Sequence, residues 1–173
     1  YPFYRSKVMS DSQSIINITG CANDIDNMYF DQMELIEQPE ITLSHPIAYQ
    51  ATLILEQLNN LFDLNTVNLF VACSVSTAGT DGVKELIAQS KESMDQKDSM
   101  CVVFPKKMAF NCLSNVFNRS HFSQNQFKNS LLNQIQFYFS NLSIEVDLSL
   151  MQIPVIRGHM MQMQVTTKQE VCL

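Results

Sequence analysis

The sequence predicts an α/β fold, with a mixed and largely antiparallel sheet covered by helices. Three patterns predict it. Two long segments, 46–62 and 122–139, repeat apolar residues at helical spacing. Between them runs an apolar, β-branched stretch, Val67 to Val75. Near the end, residues 144–150 and 161–165 alternate apolar with polar, as half-buried strands do. Helical and strand-like segments that alternate along one chain imply a sheet layered against helices.

The elements follow in order. Residues 14–20 read as a short buried strand ending at Gly20. Glu34 to Glu37 reads as a second short strand, closed by Pro39. From Pro46 to Phe62, residues Ile47, Ala51, Ile54, Leu55, Leu58, Leu61 and Phe62 form one broad stripe. Pro46 suits a first helical turn, and Ser44 is placed to cap it. Residues 76–82 are a small-residue turn after the 67–75 strand. The next helix is expected over 81–90, with Val83, Leu86 and Ile87 inward and Thr80 or Asp81 as its cap. A charged loop over 91–100 and a short strand, Cys101 to Phe104, should follow. Met161, Met163 and Val165 then belong to a strand that returns after the turn at Arg157-Gly158.

Composition removes several function classes. With 46% hydrophobic residues, 173 residues can bury a core. A net charge of −6 and one adjacent basic pair, Lys106-Lys107, argue against nucleic acid, since phosphate binding needs clustered cations. No apolar run is long enough to span a membrane. The five cysteines are odd in number and include no Cys-x-x-Cys, so neither a disulfide framework nor a zinc site is indicated. The expected place is the cytoplasm, with no metal.

Few residues are candidates for chemistry. Ser76, Thr77 and Gly79 lie between a strand and a helix N-terminus, where backbone N–H groups can face an anion. The plain alternative is a tight turn, because neither a Walker loop nor a Gly-x-Gly-x-x-Gly is present. Cys73 and His159 would make a thiolate–imidazole pair if they met. A thiol in an apolar strand is more often buried and inert. His45 at a helix start either binds a phosphate or ends the loop, and the second is preferred. The methionines at 160, 161 and 163 read as strand packing rather than a soft-metal cluster.

Three blocks carry a family resemblance. The first is Val71-Ala72-Cys73-Ser74-Val75-Ser76-Thr77-Ala78-Gly79 with Thr80-Asp81-Gly82-Val83-Lys84-Glu85-Leu86. The second is Phe104-Pro105-Lys106-Lys107-Met108-Ala109-Phe110-Asn111, and the third Gln152-Ile153-Pro154-Val155-Ile156-Arg157-Gly158-His159. In this order and spacing they resemble the aspartate-semialdehyde dehydrogenases. The resemblance implies a glyceraldehyde-3-phosphate-dehydrogenase-like C-terminal domain at 46–173, for substrate and dimerisation. It also implies a remnant of a Rossmann-type nucleotide-binding domain at 1–45. Family members form dimers through the sheet of the second domain, so a homodimer is expected.

The family's catalytic positions map poorly onto this chain. The resemblance puts Pro46 at the nucleophilic cysteine, and proline has no thiol. Cys73 falls at the orienting glutamine, and Gln152 at the arginine that clamps the substrate carboxylate. Only the acid–base histidine persists, as His159. Ser76, Thr77 and Gly79 fall in the family's cofactor-side turn. Gln152 and the lost cysteine resemble the non-catalytic Usg-type paralogues. The chain also reads as incomplete at both ends, since no dinucleotide fingerprint precedes Ile15. The expectation is a catalytically degenerate, dimerising relative with no cofactor. The alternative is a fragment of an active NADP-dependent enzyme.

Overall fold

The computed structural model describes residues 15–17, 28–29, 40–114, 116, 124–140 and 142–169. The predicted strand at 34–37, the acidic residues before Glu40, and Cys21, His121 and Cys172 lie outside them. Two sheets occur. The first has strands β1 (Ile15–Asn17), β2 (Met28–Tyr29) and β3 (Glu40–Leu43), all parallel, in the order β1-β3-β2. The second joins β4 (Leu64–Cys73), β5 (Leu113–Ser114), β6 (Glu145–Gln152) and β7 (Met160–Thr167) in the order β5-β6-β4-β7. It is mixed: β4 and β6 run parallel, while β4–β7 and β5–β6 are antiparallel. The last two long strands therefore do not pair with each other, as the returning strand suggested. The apolar strand β4 inserts between them, because only there are both its edges covered and its apolar residues buried.

Helix α1 (Pro46–Phe62) has the predicted bounds. Its cap is His45 and not Ser44: the His45 Nδ1 accepts from the Ile47 N–H at 3.2 Å. Imidazole can fill the acceptor role usually taken by a hydroxyl or carboxylate. The helix closes on Asp63 in a left-handed conformation, with φ 48°. Lys168 returns to that corner, its ammonium 2.9 Å from the Asp63 carboxylate, and so ties the end of β7 to the α1–β4 junction. Ile47, Ala51 and Leu55 are buried, but Ile54 and Leu61 of the predicted stripe are exposed. The stripe is narrower than predicted because only one sheet face receives it.

Helix α3 (Gln124–Tyr138) lies beside α1 on that same face. Leu131, Ile135 and Phe139 join Ile47, Ala51 and Leu55 over Val67, Leu69, Val71, Val146 and Leu148. Each such side chain contributes roughly 1.5–3 kcal/mol on burial, so this layer dominates stability. The opposite face carries Asn68, Glu145, Asp147, Ser149, Gln162, Gln164 and Thr166, all exposed. The cross-strand partners Asn68–Gln164 and Phe70–Gln162 set its register.

Two further expectations differ. Helix α2 spans Gly79–Met94, longer at both ends than 81–90. It grows directly from a 3-10 turn over Val75–Ala78, so neither Thr80 nor Asp81 caps it, and Ile87 faces solvent. Gly82 is where turn and helix touch. A Cβ there would stand 2.7 Å from the Ala78 Cβ and 2.9 Å from the Val75 carbonyl oxygen. The strand expected at 101–104 does not form; residues 102–104 are bends. Their N–H groups are taken by a side chain of α2, described next, and are unavailable to a sheet.

Candidate active-site region

The site builds up around the C-terminal end of β4. Cys73 is its last residue, buried on the core face. Burial pushes its thiol up to about 12, so it stays protonated near neutral pH. Neighbouring β6 ends at Gln152, also fully buried. The Gln152 side-chain nitrogen is 2.7 Å from the Ser74 carbonyl oxygen, 3.2 Å from that of Cys73 and 3.1 Å from the Thr77 hydroxyl. Its amide holds the turn that leads to α2. The Ser74 and Ser76 hydroxyls bond each other at 2.8 Å, and Thr77 donates to the Ser74 carbonyl.

His159 closes the other side. Its Nδ1 accepts from the Ser74 N–H at 3.2 Å. Gly158, with φ +93°, supplies the left-handed step before it. Desolvation holds the His159 pKa below its ordinary value. His45 lies close enough to sense a charge on His159. Burial first, and that charge second, lower its pKa to about 4. The ring of His45 meets Phe127 edge-on at 5.3 Å, and the backbone N–H of His45 donates to the Gln134 side-chain oxygen at 2.8 Å. Pro46 occupies the first helical position.

Turn and strand ends thus bring Cys73, Gln152, Ser76, Thr77 and His159 into one region, and the start of α1 shares the core cluster with Cys73 through Ile47. No hydrogen bond joins Cys73 to His159 among the described residues, so no thiolate–imidazole pair forms. No group of three or more His, Cys, Asp or Glu that could hold a metal occurs among the described residues. No described helix is long and apolar enough to cross a membrane.

A buried anchor beneath the site was not anticipated. The Glu85 carboxylate on α2 accepts from the backbone N–H groups of Val102, Val103 and Phe104. Gln89, one turn on, donates to Glu85 at 3.0 Å and accepts from Met108 and Ala109. Together they strap residues 100–109 to α2. Phe104, Met108 and Leu113 then pack on Val75 and Leu86, and Leu113 pairs with Gln152. The available signal was spacing: positions 82, 85, 86 and 89 share one helical stripe, which makes Glu85 and Gln89 inward-facing.

Residues 55–172 match the family described as semialdehyde dehydrogenase, dimerisation domain. The chain belongs to this semialdehyde dehydrogenase family. Among its relatives, an aspartate-semialdehyde dehydrogenase of Rickettsia bellii (strain RML369-C) is 27% identical over 121 residues, 68% of this chain and 35% of that protein. In fold it is similar to a probable aspartate-semialdehyde dehydrogenase from Pseudomonas aeruginosa, with TM-score 0.74, 22% identity, and cover of 91% of this chain and 49% of that one. A more distant likeness is the Candida albicans aspartate-semialdehyde dehydrogenase, solved with NADP: TM-score 0.50, 9% identity, 94% of this chain and 43% of that one. This semialdehyde dehydrogenase domain spans about a third of the length of the relatives it matches in sequence. Its mixed sheet flanked by helices is the family's dimerisation-domain fold, as its sequence blocks implied.

Proposed function

We propose that this chain is a catalytically degenerate aspartate-semialdehyde-dehydrogenase-like protein, resembling the Usg-type paralogues, whose role is structural and dimeric. The carrying observation is Gln152. At the position where the resemblance puts a substrate-clamping arginine, a neutral amide is fully buried and directed to the carbonyls of the chain's own turn. Losing a charge-assisted pair of this kind costs roughly 2–5 kcal/mol of binding. Pro46 at the nucleophile position, and Cys73 held as a thiol, remove covalent catalysis in the same place.

The domain division goes with this reading. Residues 1–45 are taken as the remnant of a nucleotide-binding domain, with the parallel strands β1, β3 and β2 in support. Residues 46–173 are the dimerisation-type domain. Ser76, Thr77 and Gly79 face the cofactor side in the resemblance, but no cofactor is expected here; NADP belongs to the alternative, a fragment of an active enzyme. The cysteine pattern favours the cytoplasm, and no metal, nucleic acid or membrane partner is proposed. The test is NADP-dependent oxidation of aspartate semialdehyde by the full-length protein. No turnover above background is expected, and turnover would replace this reading with the alternative.

The dimer is proposed to form through the open sheet face. Gln162, Gln164 and Thr166 of β7, with Asn68 of β4, are neutral and can bond across a two-fold axis, while the charges of that face, Glu145 and Asp147, lie on β6. The double change Gln162→Glu with Gln164→Glu sets four carboxylates near that axis. It should weaken the dimer at least about tenfold in sedimentation at micromolar concentration. Equal sedimentation of both forms would place the interface elsewhere.

A further inference from the structure

We propose that the apolar end of the open sheet face, a row made by Met151, Ala72 and Met160, is the dry part of the contact between two copies of this chain and makes that contact sensitive to peroxide. This rests on the dimer reading above and names what regulates it. The registers define the row. Ala72 of β4 is the partner of Met151 on β6 and of Met160 on β7. Met161 and Met163 pack on the core cluster, so alternation turns Met160 to the opposite face, with Gln162 and Gln164. Ala72 stands between the two methionines and is buried, whereas Met160 is 56% exposed and Met151 half-buried.

The face grades in polarity along its strands. Beside the methionine row come Ser149, Phe70 and Gln162, then Asp147, Asn68 and Gln164, then Glu145, Thr66 and Thr166. Both carboxylates thus lie towards the far end. Met151, Phe70 and Met160, the side chains that gain most by leaving water, lie together at the near one. The loop from β6 to β7 adds exposed Val155 and Ile156 at that end. A stable contact needs an apolar core within a polar rim. A second copy brings the same core and the same neutral glutamines, and so fits this face.

Thioethers in that core can be changed chemically. Hydrogen peroxide gives one oxygen to a sulfur lone pair: an S–O bond forms, the O–O bond breaks, a proton passes to the departing oxygen, and water leaves. Sulfur is oxidised and peroxide is reduced. The sulfoxide oxygen is a polar acceptor, and among thioether and alanine neighbours it would lose water without gaining a donor. Met160 is open to peroxide in the single chain and covered in the dimer. Oxidation therefore takes the free chain and holds it free, by mass action.

The test is sedimentation of the full chain at micromolar concentration, before and after hydrogen peroxide, with mass mapping of the oxidised residues. Dithiothreitol is present at the reading, since it reverses disulfides and not sulfoxides. The oxidised wild type should dimerise at least about tenfold more weakly. Methionine sulfoxide reductases A and B together should restore it. Met151→Leu with Met160→Leu keeps the row apolar; it should dimerise as the wild type does and ignore peroxide. Met94→Leu with Met100→Leu removes two more exposed thioethers, on α2 and the loop after it, and should respond as the wild type does. Raising the protein concentration should slow oxidation at Met160 and not at Met94. A dimer that persists with Met160 oxidised, or a Met151→Leu, Met160→Leu chain that still dissociates in peroxide, would overturn this proposal and leave the dimer reading standing. A wild type already monomeric before peroxide would overturn the dimer reading, and this proposal with it.

Discussion

Replacing Glu85 by alanine should destabilise the protein by about 3–5 kcal/mol, lowering its midpoint of thermal unfolding by about 10 °C. The carboxylate accepts from three successive backbone N–H groups and from Gln89. Alanine leaves those donors without an acceptor, and each buried orphan costs roughly 1–3 kcal/mol. Val102 is exposed enough to find water, which keeps the total below the simple sum. The loss should spread, because the strap carries Phe104 onto Val75 and leads to Leu113 beside Gln152. Glu85→Gln separates acceptor chemistry from packing. Its single oxygen serves two N–H groups, while its NH2 confronts the Phe104 N–H and the Gln89 amide. It should therefore lose about half as much as alanine. Hydrogen exchange of residues 102–104 reads the effect directly. Unchanged protection in Glu85→Ala would show that the strap is held by packing alone.

Much of the fold was legible because it rests on local periodicity. The bounds of α1, the alternation through β6 and the apolar β4 each follow from which side chains can be buried together. The placement of β4 between β6 and β7 was not legible. Alternation shows that Ile144 to Leu150 and Met161 to Val165 each have one buried face, but not which strand lies at their edge. The apolar residues 101–104 read as a strand because Val102, Val103 and Phe104 suit one. Glu85, seventeen residues earlier, captures their N–H groups, and local sequence does not register so distant an acceptor. At the site, family blocks marked Cys73, Gln152 and His159 as neighbours. The turning of the Gln152 amide onto its own chain needed the structure, as did the bare Nδ1 atoms of His45 and His159. His45 in particular read as a loop end, because imidazole is an uncommon helix cap.

That cap makes stability depend on pH in a defined direction. His45 has a pKa of about 4 in the folded protein against 6.5 as its ordinary value, chiefly through desolvation. Above pH 6.5 the ring is neutral in both folded and unfolded chains, and its contribution is complete. As the pH falls from 6.5 towards 4, the unfolded chain takes up a proton that the folded chain refuses. Stability then drops by up to about 1.4 kcal/mol per pH unit, about 3 kcal/mol in all, and the loss levels off below pH 4. His159, also lowered, acts in the same direction. Protonation of His45 at Nδ1 would additionally break the cap to Ile47. Carboxylates titrate in this range too, so the comparison is between wild type and His45→Asn. Asparagine caps a helix without ionising. Urea unfolding at pH 7.5 and pH 4.5 should show the wild type losing about 2–3 kcal/mol more than the variant over that interval. An equal loss in both would mean that His45 takes up its proton in the folded state as readily as in the unfolded one, and that its Nδ1 is not held by the helix.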